Sequence, residues 1–508
     1  MPRLARLPRT ILATALIAAA ASPAAYADGP TINGSGSTWS AIAIDQWRAD
    51  VGNKRGLTVN YNSVGSSSGR EYYISLGEQT DFAVSEIPFV GDETARLKSH
   101  NRTFQYLPIV AGGTAMMYNL KDSAGRRIRD LRLSADTITG IFTGAITKWN
   151  DPKIAADYGR PLPDLAITPV IRSDGSGTSA QFAAYMAHES SRIWSAFAKK
   201  KMLAAGLPVS NYPDLPTSIA QKGSDGIANY VANPVVGLGA IGYLESSYAV
   251  QRNFPVVAVK NRAGKFALPT SRNVATALTK ATLNSDRTQN LDGVYTNPAA
   301  GAYPISSYSY MIVPNKTGLA ADKTAVLGKF MLYFACEGQQ TASLLGYSPL
   351  PKNLVSVVFD AVRNLPAGRP TPPDLTYAAC ANPTLRDDGN LGEGADVLRG
   401  SLPYGSNGDV PASGSTSNGS STGNTTGGNN AAGSGTTGDG TVNAGGSGAN
   451  SGVYSALQPT SLTVKPGAGA GLTITALLIG VGALAPLAYV TLRRRKATAS
   501  TPVDAPLE

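Results

Sequence analysis

Three segments of the chain set glycine and hydroxyl side chains side by side where a β-prone run gives way to an amphipathic one. They are Gly34-Ser35-Gly36-Ser37-Thr38-Trp39-Ser40, Gly65-Ser66-Ser67-Ser68-Gly69 and Arg172-Ser173-Asp174-Gly175-Ser176-Gly177-Thr178-Ser179. Glycine lets backbone approach a ligand, the first N–H groups of a helix lack an internal partner, and serine and threonine add hydroxyl donors. Each turn therefore reads as an anion socket. An ordinary helix N-cap has the same composition, so the weight lies in finding three such turns together. None fits a nucleotide loop, because no lysine follows the glycines and the first turn lacks the third glycine of a dinucleotide fingerprint. The ligand expected is a small anion.

Arg172 alone places a permanent cation inside one of these loops, and Asp174 is spaced to hold its guanidinium in a fixed fork. Between the first and third loops, Asp81-Phe82-Ala83-Val84-Ser85-Glu86-Ile87-Pro88 ends a strand on a carboxylate. Glu86 beside an anion site repels a fully ionised ligand but accepts a hydrogen bond from one that still carries a proton. That chemistry selects hydrogen phosphate over sulfate.

The rival from another class is a serine hydrolase. Gly65-x-Ser67-x-Gly69 fits a nucleophile elbow, and its base would have to be His100 or His188, the two histidines of the chain. A non-catalytic surface display protein is a further alternative. Two histidines and two cysteines leave little for a metal centre, and no cofactor is expected.

These loops need strands and helices to aim them. Short strands are expected at Leu57 to Tyr61, Asp81 to Ser85, Ala115 to Tyr118, Ile167 to Ile171, Ala240 to Leu244 and Tyr308 to Val313. Helices are expected at Ala41 to Asp50, Ala135 to Phe142, Ala180 to Ala187 and Lys323 to Glu337. Their alternation is that of an α/β architecture.

The 508 residues are only 15% charged and include 55 glycines, so part of the chain is not ordinary globular domain. Residues 1–27 read as a signal peptide, with Arg3, Arg6 and Arg9, an apolar run and the small-x-small site Ala25-Tyr26-Ala27. Residues 28–390 form the head, and 391–465 a low-complexity Gly/Ser/Thr-rich linker with too little apolar surface to fold. Pro466 to Leu492 carries no charge and runs into Arg493-Arg494-Arg495-Lys496, which reads as a transmembrane helix (466–492) followed by a cytoplasmic tail (493–508). A tail cleaved during wall attachment is the alternative. Half of the net charge of +10 sits at these two ends, and the rest is too diffuse for a nucleic-acid-binding face. Cys336 and Cys380 are an even count in an exported head, which argues for one disulfide against two buried thiols.

The loops, in their order, resemble the PstS family, the phosphate-binding proteins of Pst-type ABC importers. The resemblance spans about residues 30–360 and includes Ile141-Phe142-Thr143-Gly144 with Lys148-Trp149-Asn150-Asp151-Pro152, Lys222-Gly223-Ser224-Asp225-Gly226, Gly239-Ala240-Ile241-Gly242-Tyr243 and Leu345-Gly346-Tyr347-Ser348-Pro349-Leu350-Pro351. It implies a two-lobed class II periplasmic-binding-protein fold of the Venus-flytrap kind. Lobe I would be about 28–108 and 304–385, and lobe II about 109–303. Carried over by position, the phosphate ligands fall on Thr38, the N–H of Trp39, Ser66, Arg172, Ser176, Gly177 and Thr178, with Asp174 orienting the arginine. Glu86 stands where the family usually has Asp, and Trp39 where it usually has Phe. The implied role is a monomeric binding protein rather than an enzyme. The resemblance also implies an extracytoplasmic place and a Pst-type permease to receive the phosphate, while the C-terminal helix expected to anchor the protein in the cell membrane departs from the family's usual soluble or lipid-anchored forms.

Overall fold

The structure is a computed structural model that describes residues 29–75, 77–204, 207–391 and 409–410. The expected signal peptide 1–27, the expected transmembrane segment 466–492 and tail 493–508, and most of the expected linker 391–465 lie outside the described residues. No helix among the described residues is long and apolar enough to cross a membrane.

Eight strands form the principal sheet: β1 (Thr31–Gly36), β2 (Thr58–Asn62), β3 (Phe82–Ser85), β4 (Gln105–Tyr118), β5 (Thr168–Arg172), β6 (Ile219–Gln221), β7 (Ala240–Glu245) and β8 (Ser306–Val313). Their spatial order is β2-β1-β3-β8-β4-β7-β5-β6. Every residue of β4 and of β8 is buried, as befits strands covered on both faces. β4 pairs antiparallel with β8 over Gln105 to Gly113 and with β7 over Thr114 to Tyr118, so one strand runs through both halves of the molecule. Pro108 lies inside β4, where its missing N–H would break a regular ladder. The register slips there between Ser309 and Tyr310 of β8, a bulge that accommodates it.

The first half packs its β2-β1-β3-β8 strands against helices α1 (Ala41–Arg55), α2 (Ser66–Ser75) and α4 (Ala321–Ala335). The second half sets β7-β5-β6 against α3 (Gly177–Glu189) and the helix Gly223–Ala232. This two-lobed α/β arrangement agrees with the expected fold. The expected strands and helices are present, several longer than the sequence indicated. Ala115 to Tyr118 is only the end of β4, because the preceding apolar residues pair with β8.

Cys336 and Cys380 are joined by a disulfide. It ties the segment after α4 to the arm that follows the head's last α-helix. Asp409–Val410 pairs antiparallel with Phe266–Ala267 in a smaller sheet, so the chain touches the head again beyond residue 391.

Candidate functional site

All three hydroxyl loops leave the C-terminal ends of parallel strands, where α/β sheets present ligands to the first turn of a helix. The first joins β1 to α1, the second β2 to α2, and the third β5 to α3. In the third, Ser176 caps α3 by accepting the Ser179 N–H at 3.1 Å, which leaves the Gly177 and Thr178 N–H groups as the free start of the helix.

Arg172 is almost completely buried. Its Nε donates to Asp174 Oδ1 at 2.7 Å and its Nη2 to Asp174 Oδ2, a bidentate fork that leaves Nη1 without a partner among the described residues. Asp174 also accepts the Gly223 N–H at 2.9 Å. Burial pushes the Asp174 carboxyl up, but the Arg172 guanidinium and the backbone donors outweigh it and hold the group below its usual range. Gly65 meets this carboxylate: a Cβ there would lie 2.4 Å from Oδ2, and its φ of +99° also favours glycine.

Glu86 is fully buried and bound through both oxygens. Oε1 accepts the Ser37 hydroxyl and the Ser309 hydroxyl, the latter at 2.8 Å, and Oε2 accepts Ser66 Oγ at 2.7 Å. Gly177 faces the same carboxylate, and a Cβ on it would lie 2.4 Å from Oε2. Thr178 Oγ1 is buried with no hydrogen-bond partner among the described residues, an orphaned donor at the mouth of α3. Tyr61 donates to the Ser37 carbonyl at 2.8 Å. Burial first, then the charge of Glu86, raises its phenol well above its ordinary value and keeps it a donor.

The sequence reading brought Thr38, Ser66, Glu86, Arg172, Ser176, Gly177 and Thr178 to one place, and these residues do converge at the junction of the halves. Two details differ. The Trp39 N–H donates to Ser37 Oγ at 3.0 Å inside its own loop. The third loop touches the second, through the Ser67 N–H and the Gly175 carbonyl at 3.1 Å, while Thr38 of the first meets Ser224, whose N–H lies 3.1 Å from Thr38 Oγ1. Ser224 belongs to the Lys222 to Gly226 turn, which opens a helix at the same level. Gln181 of α3 donates to the Glu86 carbonyl at 2.7 Å. Ser37, Ser224, Gln181 and Ser309 were missed as site residues. Ser37 and Ser224 lie inside motifs already singled out, whereas Gln181 and Ser309 have no motif around them.

Among the described residues nothing assembles a hydrolase. His188 pairs with Glu189 at 2.8 Å on the surface, and His100 lines a separate hollow with Asp81, Arg102 and Lys323. Among the described residues no cluster of three or more His, Cys, Asp and Glu side chains could hold a metal. Beneath the first loop, Glu245 at the end of β7 is fully buried. Loss of water pushes its carboxyl up to about 8, against hydrogen bonds from Ser246 and Ser247 that work the other way.

The profile of the PBP superfamily domain matches residues 18–337. Among curated relatives, the phosphate-binding protein PstS of Xylella fastidiosa strain Temecula1 is 33% identical over 329 residues, covering 64% of this chain and 83% of the relative. The phosphate-binding protein PstS of Pasteurella multocida is 30% identical over 331 residues, covering 65% and 88%. In three dimensions the chain is similar to the ancestral soluble variant of the human phosphate-binding protein, with a TM-score of 0.51 at 18% identity over 73% of this chain and 98% of that one, which speaks to fold alone. The relatives are named as binding proteins, not enzymes. With a superfamily profile over more than half its length and close to nine-tenths of one PstS relative covered at 30% identity, this chain belongs to the PstS family of periplasmic-binding-protein folds.

Proposed function

We propose that this protein captures inorganic phosphate outside the cytoplasm and yields it to an ABC permease of the Pst type. Arg172 Nη1, the Ser66, Gly177 and Thr178 N–H groups and the Thr38, Ser176 and Thr178 hydroxyls would surround the anionic oxygens, the Ser66 hydroxyl being turned to Glu86. Glu86 would accept the remaining ligand proton. The observation that carries the reading is the meeting of a buried, forked arginine with a buried carboxylate across the start of α3, since such a pair suits an anion that is also a donor. Residues 28–390 act as the head in this reading, 391–465 as a spacer, and 466–492 as the helix that keeps the exported protein at the membrane.

Calorimetric titration of ligand-stripped protein with phosphate and with sulfate tests it. One phosphate should bind, with sulfate far weaker, and phosphate at 100 times its dissociation constant should add about 2.7 kcal/mol to unfolding stability. Glu86→Gln can donate to a fully ionised oxygen, so it should weaken phosphate and strengthen sulfate. A stripped wild type whose titration and melting curve ignore phosphate removes the reading.

A further inference from the structure

We infer that Ser309 is a specificity-determining residue of this site: together with Ser37 it fills Glu86 Oε1 and leaves Oε2 as the one oxygen able to take a ligand's proton. The inference rests on the phosphate reading above and extends it to a residue outside the three loops.

The position of Ser309 follows from strand register. β8 pairs antiparallel with β3 through Tyr310 and Ser85, so Ser309 stands one step further along, beside Glu86. On its other edge β8 slips register with β4 between Ser309 and Tyr310. Bulges of this kind re-aim a side chain, and here the Ser309 hydroxyl meets Oε1 at 2.8 Å in a fully buried setting. The direction of the Ser37 bond is also fixed. Its oxygen accepts the N–H groups of Trp39 at 3.0 Å and Ser40 at 3.4 Å, so its own proton goes to Glu86.

A carboxylate offers about four acceptor positions, two on each oxygen. Ser37 and Ser309 occupy both on Oε1, and Ser66 occupies one on Oε2. The fourth lies on Oε2, the oxygen that faces Gly177 and the start of α3. A ligand with a proton meets a single open acceptor there, and sulfate meets that acceptor with nothing to give. Shortening Glu86 to Asp would draw the carboxylate back by about a bond length, away from Ser309, so the influence of Ser309 should depend on the longer side chain.

The experiment is a set of phosphate and sulfate titrations of the full exported chain as wild type, Ser309→Ala, Ser309→Thr, Glu86→Asp and the Glu86→Asp/Ser309→Ala double variant, each with a melting curve. Losing a hydrogen bond to a charged group should lower phosphate affinity on the order of tenfold to a hundredfold in Ser309→Ala, with sulfate changed by less than about threefold. Ser309→Thr keeps the donor and should keep the ratio. In the Glu86→Asp background the alanine substitution should be silent. Equal weakening of both anions, or a loss of ratio undiminished in that background, overturns the inference. Should the alanine variant not stay folded, Ser309→Cys replaces a strong donor by a weak one at similar volume and must show the same loss of ratio; an unchanged ratio overturns the inference as well. A wild type that binds neither anion refutes the phosphate reading itself, a result distinct from an unchanged ratio in a wild type that binds phosphate.

Discussion

Gly177→Ala should separate closing of the two halves from folding of either. The added methyl would lie 2.4 Å from Glu86 Oε2 and 2.9 Å from the Glu86 Cβ and backbone nitrogen. Three hydroxyls hold that carboxylate in place, so it cannot swing aside without losing them. Gly177 is not among the positive-φ glycines, and alanine is favoured over glycine in helices by up to about 1 kcal/mol, so the second half should fold as before. What the methyl prevents is the close approach. With it go the Ser67–Gly175, Ser224–Thr38 and Gln181–Glu86 hydrogen bonds that join the halves. At about 1 kcal/mol each these amount to about 3 kcal/mol, a weakening of phosphate binding of roughly a hundredfold. Calorimetry gives the affinity, and small-angle scattering with phosphate present should show a larger radius of gyration than wild type. The melting temperature without phosphate should move by no more than about 1 °C, less than about 1 kcal/mol for a head of this size. An affinity within about threefold of wild type would refute the argument, because the halves could not then meet at Gly177 in the bound state.

Arg172→Lys keeps the charge but loses the fork to Asp174, and calorimetry should find phosphate weaker by about 1.5–3 kcal/mol. For Glu245 the folded-state pKa lies above the ordinary carboxyl value, so the folded form holds its proton more tightly than the unfolded chain does. Stability should therefore fall as pH rises from about 4.5 to about 8 and level off above that, and Glu245→Gln should flatten this part of a melting-temperature profile. Replacing Cys336 and Cys380 together by alanine opens a loop with a sequence separation of 44, and denaturant unfolding should show a loss of about 4 kcal/mol in the chain-entropy account.

Much of the site was legible because its chemistry is local. A glycine-hydroxyl turn between a strand and a helix, or an arginine two residues before an aspartate, declares its geometry within a few positions. The segments most specific to the family were legible for a different reason. Trp149 is fully buried with its indole N–H on the Gly239 carbonyl at 3.0 Å, Asp151 caps the helix Pro152–Tyr158 by accepting the Lys153 N–H at 2.8 Å, and Tyr347 supports the first loop through the Trp39 carbonyl at 2.7 Å. They build the frame without joining the converged donors. Ser309 was not legible, since its role depends on a register slip opposite Pro108 and on the Glu86 carboxylate, 223 residues away from it in sequence. Gln181 was hidden likewise, its partner being a backbone carbonyl in the other half. The length of β4 escaped notice because a run with a proline and two adjacent glycines looks like a place where chain crosses, and only its pairing reveals an unbroken strand.

That unbroken strand makes the two halves mechanically inseparable. β4 is a shared spine, hydrogen-bonded to β8 on one edge and β7 on the other, with Gly112 wedged against Trp39 and Glu245 and Gly113 against Tyr303 and Pro269. Any opening on such a spine would have to deform one continuous ribbon, unlike the swing of two bodies on a slack tether. A cut between residues 113 and 114 would not release two miniature proteins, because each fragment would carry an exposed edge that its former partner had covered, and exposed edges recruit other strands. Engineered reporters inserted into this protein should therefore go into surface turns and leave the spine whole.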